Sequence, residues 1–132
     1  MFGAIDISTS GLVAQRIRSN TIAMNIAMAD VVETPEGGPY QRRNVIFSVG
    51  RGPNDSTEAG VHVSAIEKQD VYRMKYDPKH PYANEEGNVK LPGIDPLIEM
   101  VNLMEATRAY EANLTAVEVS KAMLNSSLRL LA

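Results

Sequence analysis

The chain has 132 residues, with 13 Lys and Arg against 16 Asp and Glu, for a formal net charge of −3. That length suits one folded unit with a modest core, and without a basic block to neutralise a phosphate backbone, no nucleic acid partner is expected. Cysteine is absent, which removes disulfides, thiolate nucleophiles and thiolate metal ligands together.

The N-terminal segment, residues 1–33, reads as a helix from Met1 to about Val32, with Ser8 or Ser10 as candidate caps. No basic residue precedes Arg16, so no cleaved signal peptide is expected. In its second half Ile22, Ala23, Met24, Ile26, Ala27, Met28 and Ala29 point all around the axis, with Asn25 among them. An apolar girdle of this kind signals burial on every side. A buried amide left unpaired costs about 1–3 kcal/mol. Asn25 therefore reads either as a register pin satisfied only by correct docking of another subunit, or as a residue bonded to a nearby backbone group. The pattern stops at Thr34-Pro35-Glu36-Gly37-Gly38-Pro39, a turn cluster.

The middle segment, residues 34–94, is rich in Gly and Pro, which excludes helix over much of it. Alternation predicts strands at Arg43 to Val49 and at Val61 to Ile66, with a third at Asp70 to Tyr76. Asp77, His80, Tyr82, Glu85 and Glu86 fall close together and are the best enzymatic raw material in the chain. They lack the regular oxygen spacing of a calcium loop, and a Pro-braced turn with solvated charges is the plainer reading. His62 alternates with Val61 and Val63 and has no second His at ligand spacing. N-x-S/T occurs at Asn54, Asn113 and Asn125, the last two on a helical stretch where a glycan would destroy packing.

The last segment, residues 95–132, opens with Asp95 as N-cap and Pro96 at the first helical position, and is predicted to be one long helix. Alternating steps of four and three give Leu103, Thr107, Tyr110, Leu114, Val117, Lys121, Leu124, Leu128 and Leu131, a coiled-coil seam. A second stripe, Ala106, Ala109, Asn113, Ala116, Ser120, Met123, Ser127 and Leu130, is mostly small and invites close approach of another helix. Met24 with Met28, and Met100 with Met104, read as packing residues. At about 1.5 Å per residue this helix would run about 54 Å and the stretch from Ser8 to Val32 about 37 Å, so one cannot cover the other. Such surplus apolar surface marks partner contacts, and self-assembly or a larger complex is expected. No apolar run approaches the roughly 18 residues of a membrane span, so no direct membrane insertion is expected.

Arg108-Ala109-Tyr110-Glu111-Ala112-Asn113, followed by Lys121 and Met123, resembles the C-terminal helix of bacterial flagellar rod and hook proteins. Ser10-Gly11-Leu12, Ala14-Gln15-Arg16 and Asn25-Ile26-Ala27 resemble that family's N-terminal helix, and the middle segment is most similar to that of its proximal-rod members. The resemblance implies an α+β subunit whose terminal helices, 1–33 and 95–132, pack as one discontinuous coiled-coil-like region around a small β-rich insert. It implies a structural protein of the flagellar basal body, polymerising into the periplasmic proximal rod, with no catalysis, cofactor or metal. The implied partners are copies of itself, other rod proteins, the MS-ring or a rod-base junction protein, and the flagellar type III export apparatus. The expected subunit-interface residues are Leu12, Ile22, Asn25, Ile26, Leu103, Arg108, Tyr110, Asn113, Leu114, Val117, Leu124 and Leu128. The alternatives are another rod or hook-junction subunit, an interaction adaptor with a coiled-coil tail, or a small enzyme using the Asp77 to Glu86 turn. Two positions depart from the family pattern: Met28 and Gly93 stand where Asn is usual.

Overall fold

The structure, a computed structural model, describes residues 2–52 and 59–132; Met1 and the Asn54 sequon lie outside them. In chain order it runs α1 (Phe2–Ala27), β1 (Arg42–Val49), β2 (Val61–Gln69), β3 (Tyr72–Tyr76), β4 (Asn88–Pro92) and α2 (Pro96–Leu131). The architecture is α+β, two long helices with strands between them.

The C-terminal helix begins where its cap chemistry places it. Asp95 has extended backbone, its side chain accepts from Leu97 N–H at 3.0 Å, and Pro96 occupies the first turn. The N-terminal helix departs from expectation at both ends. It begins at Phe2, so Ser8 and Ser10 lie inside it rather than capping it. Ser10 donates back to Ile7 O at 2.6 Å, while its hydroxyl oxygen accepts from Val61 N–H at 3.1 Å. The helix ends at Ala27 rather than near Val32, because Ala29 is drawn into a buried cluster with Tyr40 and Ile94, and Tyr40 N–H bonds to Val31 O at 3.2 Å. Tertiary contacts here override local helical pattern.

The strands form two separate antiparallel pairs. β1 pairs with β2 from Arg42↔Gln69 to Val49↔Val61, with an irregularity between Ile46 and Phe47. β3 pairs with β4 from Tyr72↔Pro92 to Tyr76↔Asn88. The pattern Asn88-Val89-Lys90-Leu91-Pro92 went unpredicted because Gly and Pro flank it, yet Val89 and Leu91 point inward and are buried. Gly93 then donates to Val71 O at 2.8 Å, and a Cβ at Gly93 would sit 2.8 Å from the Val71 carbonyl carbon and oxygen. In this chain any side chain at that position would force the Val71 backbone to shift.

The two helices run antiparallel. Asn25 lies beside Glu99, Arg18 Nη1 lies 3.6 Å from Glu105 Oε1, and Gly11 lies against Asn113. α1 occupies the groove between the two predicted stripes of α2, where Leu103, Tyr110 and Val117 of one, and Ala106, Asn113 and Ser120 of the other, are half-buried or buried. The small residues set the spacing: Ala106 is fully buried, and a Cβ at Gly11 would meet the Asn113 amide at 2.8 Å. The β1–β2 hairpin lies along another flank of α1, touching it at Asn25 through Arg43 and at Ser10 through Val61. Part of the apolar girdle of α1 is thus sheltered by its own chain.

Candidate assembly surface and the polar hub that positions it

Four side chains from three parts of the chain meet under the junction of α1, β1 and α2. Asn25 on α1 is 0 % exposed and Glu99 on α2 is 2 % exposed. Asn25 Nδ2 donates to Arg43 O at 2.8 Å, and its Oδ1 accepts from Arg43 N–H at 3.0 Å and from Tyr40 O–H at 3.1 Å. The amide serves the outer edge of β1 at Arg43, a residue in register with Lys68 of β2 on the other side. Glu99 accepts from Arg42 Nε at 2.6 Å, while Arg42 Nη1 donates to Gln69 Oε1 at 2.7 Å, and Asn25 Nδ2 approaches Glu99 Oε2 at 3.4 Å. A buried carboxylate is tolerated when paired and hydrogen-bonded in this way. Burial pushes the Tyr40 hydroxyl above the ordinary tyrosine range, partly opposed by the nearby Arg43 guanidinium.

Every partner of Asn25 belongs to the same chain. Within the chain it pins β1 and α2 onto α1. The backbone-group alternative holds, extended by a tyrosine and a glutamate. Ile22 is likewise buried within the chain. Leu12 and Ile26 on α1, with Leu103, Tyr110, Asn113, Val117 and Leu124 on α2, are half-buried between elements, while Arg108, Leu114 and Leu128 face outward. The spacing that nominated these residues fixes a helical stripe, not which neighbour fills it.

The outward surface of α2 carries apolar residues that, Leu128 apart, are missing from the expected interface set. Leu97, Ile98, Met100, Val101 and Met104 are all exposed at its start, Leu97 at 70 %. At its other end Leu128 is exposed, with Leu130 at 86 % and Leu131 at 84 %. Heptad counting passed over the first group because it lies opposite the seam; its signal in the sequence is the run Leu97 to Met104, whose one charge, Glu99, turns inward. A chain that leaves this much apolar surface bare at both ends of one helix is built to be covered.

The Asp77 to Glu86 segment is a series of nested turns. His80 N–H bonds to Asp77 O at 3.1 Å, Ala83 N–H to His80 O at 3.0 Å, and His80 Nδ1 accepts from Tyr82 N–H at 3.1 Å. Asn84 Oδ1 accepts from Glu86 and Asn88 N–H, and Gly87 turns with φ +83°. These polar groups are engaged in closing the β3–β4 connection. His62 Nδ1 lies 2.9 Å from Gly50 O, where a protonated Nδ1 donates and braces the hairpin end. Elsewhere, exposed links tie elements together. Arg73 pairs with Asp30 at 2.8 Å and Lys68 with Glu36 at 2.8 Å. Asp70 accepts from Tyr72 O–H at 2.7 Å and Gln41 Nε2 at 2.9 Å, which holds its carboxyl below the usual range.

Residues 85–130 match the family described as flagellar basal body rod FlgEFG protein C-terminal. Over its length the chain is similar to curated relatives each named flagellar basal-body rod protein FlgC. It is 38% identical to that of Borreliella burgdorferi, covering 99% of this chain and 97% of that one. It is 41% identical to that of Aquifex aeolicus, covering 92% and 90%. It is 38% identical to that of Salmonella typhimurium, covering 98% and 97%.

Proposed function

The chain belongs to the flagellar basal-body rod protein FlgC family, and from that membership we propose that it is a structural subunit of the proximal rod, transmitting motor torque through packed helices. It is not an enzyme; the family is one of structural rod proteins. The observation that carries the reading is the pairing of near full-length similarity with helices whose two ends remain apolar and uncovered. A rod that bears torque needs subunits whose contacts are extensive, well packed and repeated.

Copies of the chain and other rod proteins supply the covering surfaces. Residues 1–33 and 95–132 act as one helical unit, with residues 34–94 as the insert that braces it. At the base of the rod the neighbour is the MS-ring or a junction protein, and the subunit reaches its periplasmic position unfolded, through the flagellar type III export apparatus. Deleting the gene in a flagellated host is expected to abolish motility and leave basal bodies without a proximal rod, restored by the full chain in trans. A motile deletion strain with complete basal bodies contradicts the reading.

A further inference from the structure

The bare apolar surface of α2 is divided between two faces. Continuing the pairing of Asn25 with Glu99, Arg18 with Glu105 and Gly11 with Asn113 brings Phe2 opposite Ala122. Beyond that point α2 projects past the end of α1. The stripe that α1 covers at Leu103, Tyr110 and Val117 runs on through Leu124, half-buried at the edge of that cover, to Leu128 and Leu131, which are exposed at 56 % and 84 % with no helix against them among the described residues. The second face lies on the opposite side of α2 at its beginning, where Leu97, Val101 and Met104 fall at i, i+4 and i+7 with Met100 beside them, all exposed. This second face stops at Arg108, Glu111 and Glu118, which are exposed and charged.

We infer that these two faces are the halves of one repeating contact, in which the projecting end of α2 from one copy lies on the Leu97–Met104 face of the next copy. The two faces agree in length, each about two helical turns, or about 12 Å. They agree in chemistry, since neither carries a charge on its apolar stripe. The projecting half is the uncovered continuation of a seam that already packs a helix within the chain. Pairing two projecting ends with each other fits less well, because it leaves the Leu97–Met104 face bare. A contact joining different patches on successive copies repeats from copy to copy, and where its rotation does not close into a ring it propagates as a helix. The inference rests on the rod reading and adds which surfaces of successive subunits meet.

The absence of native cysteine makes the test clean. Met104→Cys with Leu131→Cys, and separately Met100→Cys with Leu128→Cys, are placed in the full chain and expressed in the deletion strain; Thr115→Cys with Leu131→Cys is the control. Within one chain the two test pairs lie about 40 Å apart along α2 and the control pair about 24 Å, so any disulfide joins two copies. Basal bodies isolated after mild oxidation are expected to yield dimers on a non-reducing gel from the first two pairs and not from the control. Basal bodies that contain the substituted chains but give no dimer from either pair, or give as much from the control, overturn the inference and leave the rod reading intact. Basal bodies that lack the unsubstituted chain overturn the rod reading itself.

Discussion

Replacing Asn25 by Leu tests whether the buried hub holds α1, β1 and α2 together. Leucine is close in size but serves none of the amide's bonds, so Arg43 N–H, Arg43 O and Tyr40 O–H all lose their partner. Each buried polar group left unpaired costs about 1–3 kcal/mol. The two Arg43 groups are only part-buried and regain some hydration, so the loss sums to about 3–5 kcal/mol on that scale. Added apolar burial returns about 1–2 kcal/mol. The expected net loss is about 2–3 kcal/mol, a large share of the 5–15 kcal/mol typical of a domain. Urea unfolding followed by far-ultraviolet circular dichroism should show a lower midpoint at an unchanged slope. Tyr40→Phe alone should cost about 1 kcal/mol, but nearly nothing in the Asn25→Leu background, because its hydroxyl is already orphaned there. An Asn25→Leu protein as stable as its parent, or two losses that simply add, would refute the hub.

Three further predictions concern other joints. Gly93→Ala or Gly93→Asn forces a Cβ to within 2.8 Å of the Val71 backbone and should lower stability by about 1–3 kcal/mol, read as a fall in thermal midpoint. Asp95→Ala removes the cap of α2 and should cost about 1 kcal/mol by the same measurement. Asp70 and Glu36 have folded pKa values lowered by Tyr72 with Gln41, and by Lys68, respectively. Their contribution to stability is therefore present above the ordinary carboxylate range of about 4 and lost as pH falls through the folded values. Tyr40 and Tyr72, raised by burial and by Asp70 respectively, contribute below about pH 10 and lose that contribution as pH rises through their folded values. In an NMR titration, Tyr72→Phe should move the Asp70 midpoint upward; an unmoved midpoint contradicts the assignment.

The start of α2 was legible to the residue, because Asp95 and Pro96 act through local backbone chemistry that sequence records directly. The end of α1 was not, because it is set by Ala29 meeting Tyr40 and Ile94, contacts that span loops and strands. The strand β4 was hidden between Gly and Pro for the same reason; only its pairing with β3 reveals it. Periodicity located both stripes of α2, yet it could not say that α1 would settle between them and so expose Leu114 while half-covering Tyr110. Asn25 was correctly singled out as a buried amide needing a partner. Its partners, Tyr40, Arg43 and Glu99, are brought together only by the fold.

The central claim is that apolar faces left open by the lone chain are closed in the rod, and the native methionines report on it without substitution. Met100 and Met104 are exposed on the bare start of α2, so peroxide should convert them to sulfoxides readily in the free subunit. Mass spectrometry of the same peptides from intact basal bodies, with urea-unfolded chain as the reference for full reactivity, should show both protected by at least about tenfold, the factor that about 1.4 kcal/mol of preferential burial produces. Oxidation of Met100 and Met104 in intact basal bodies at the rate of the free subunit would contradict it.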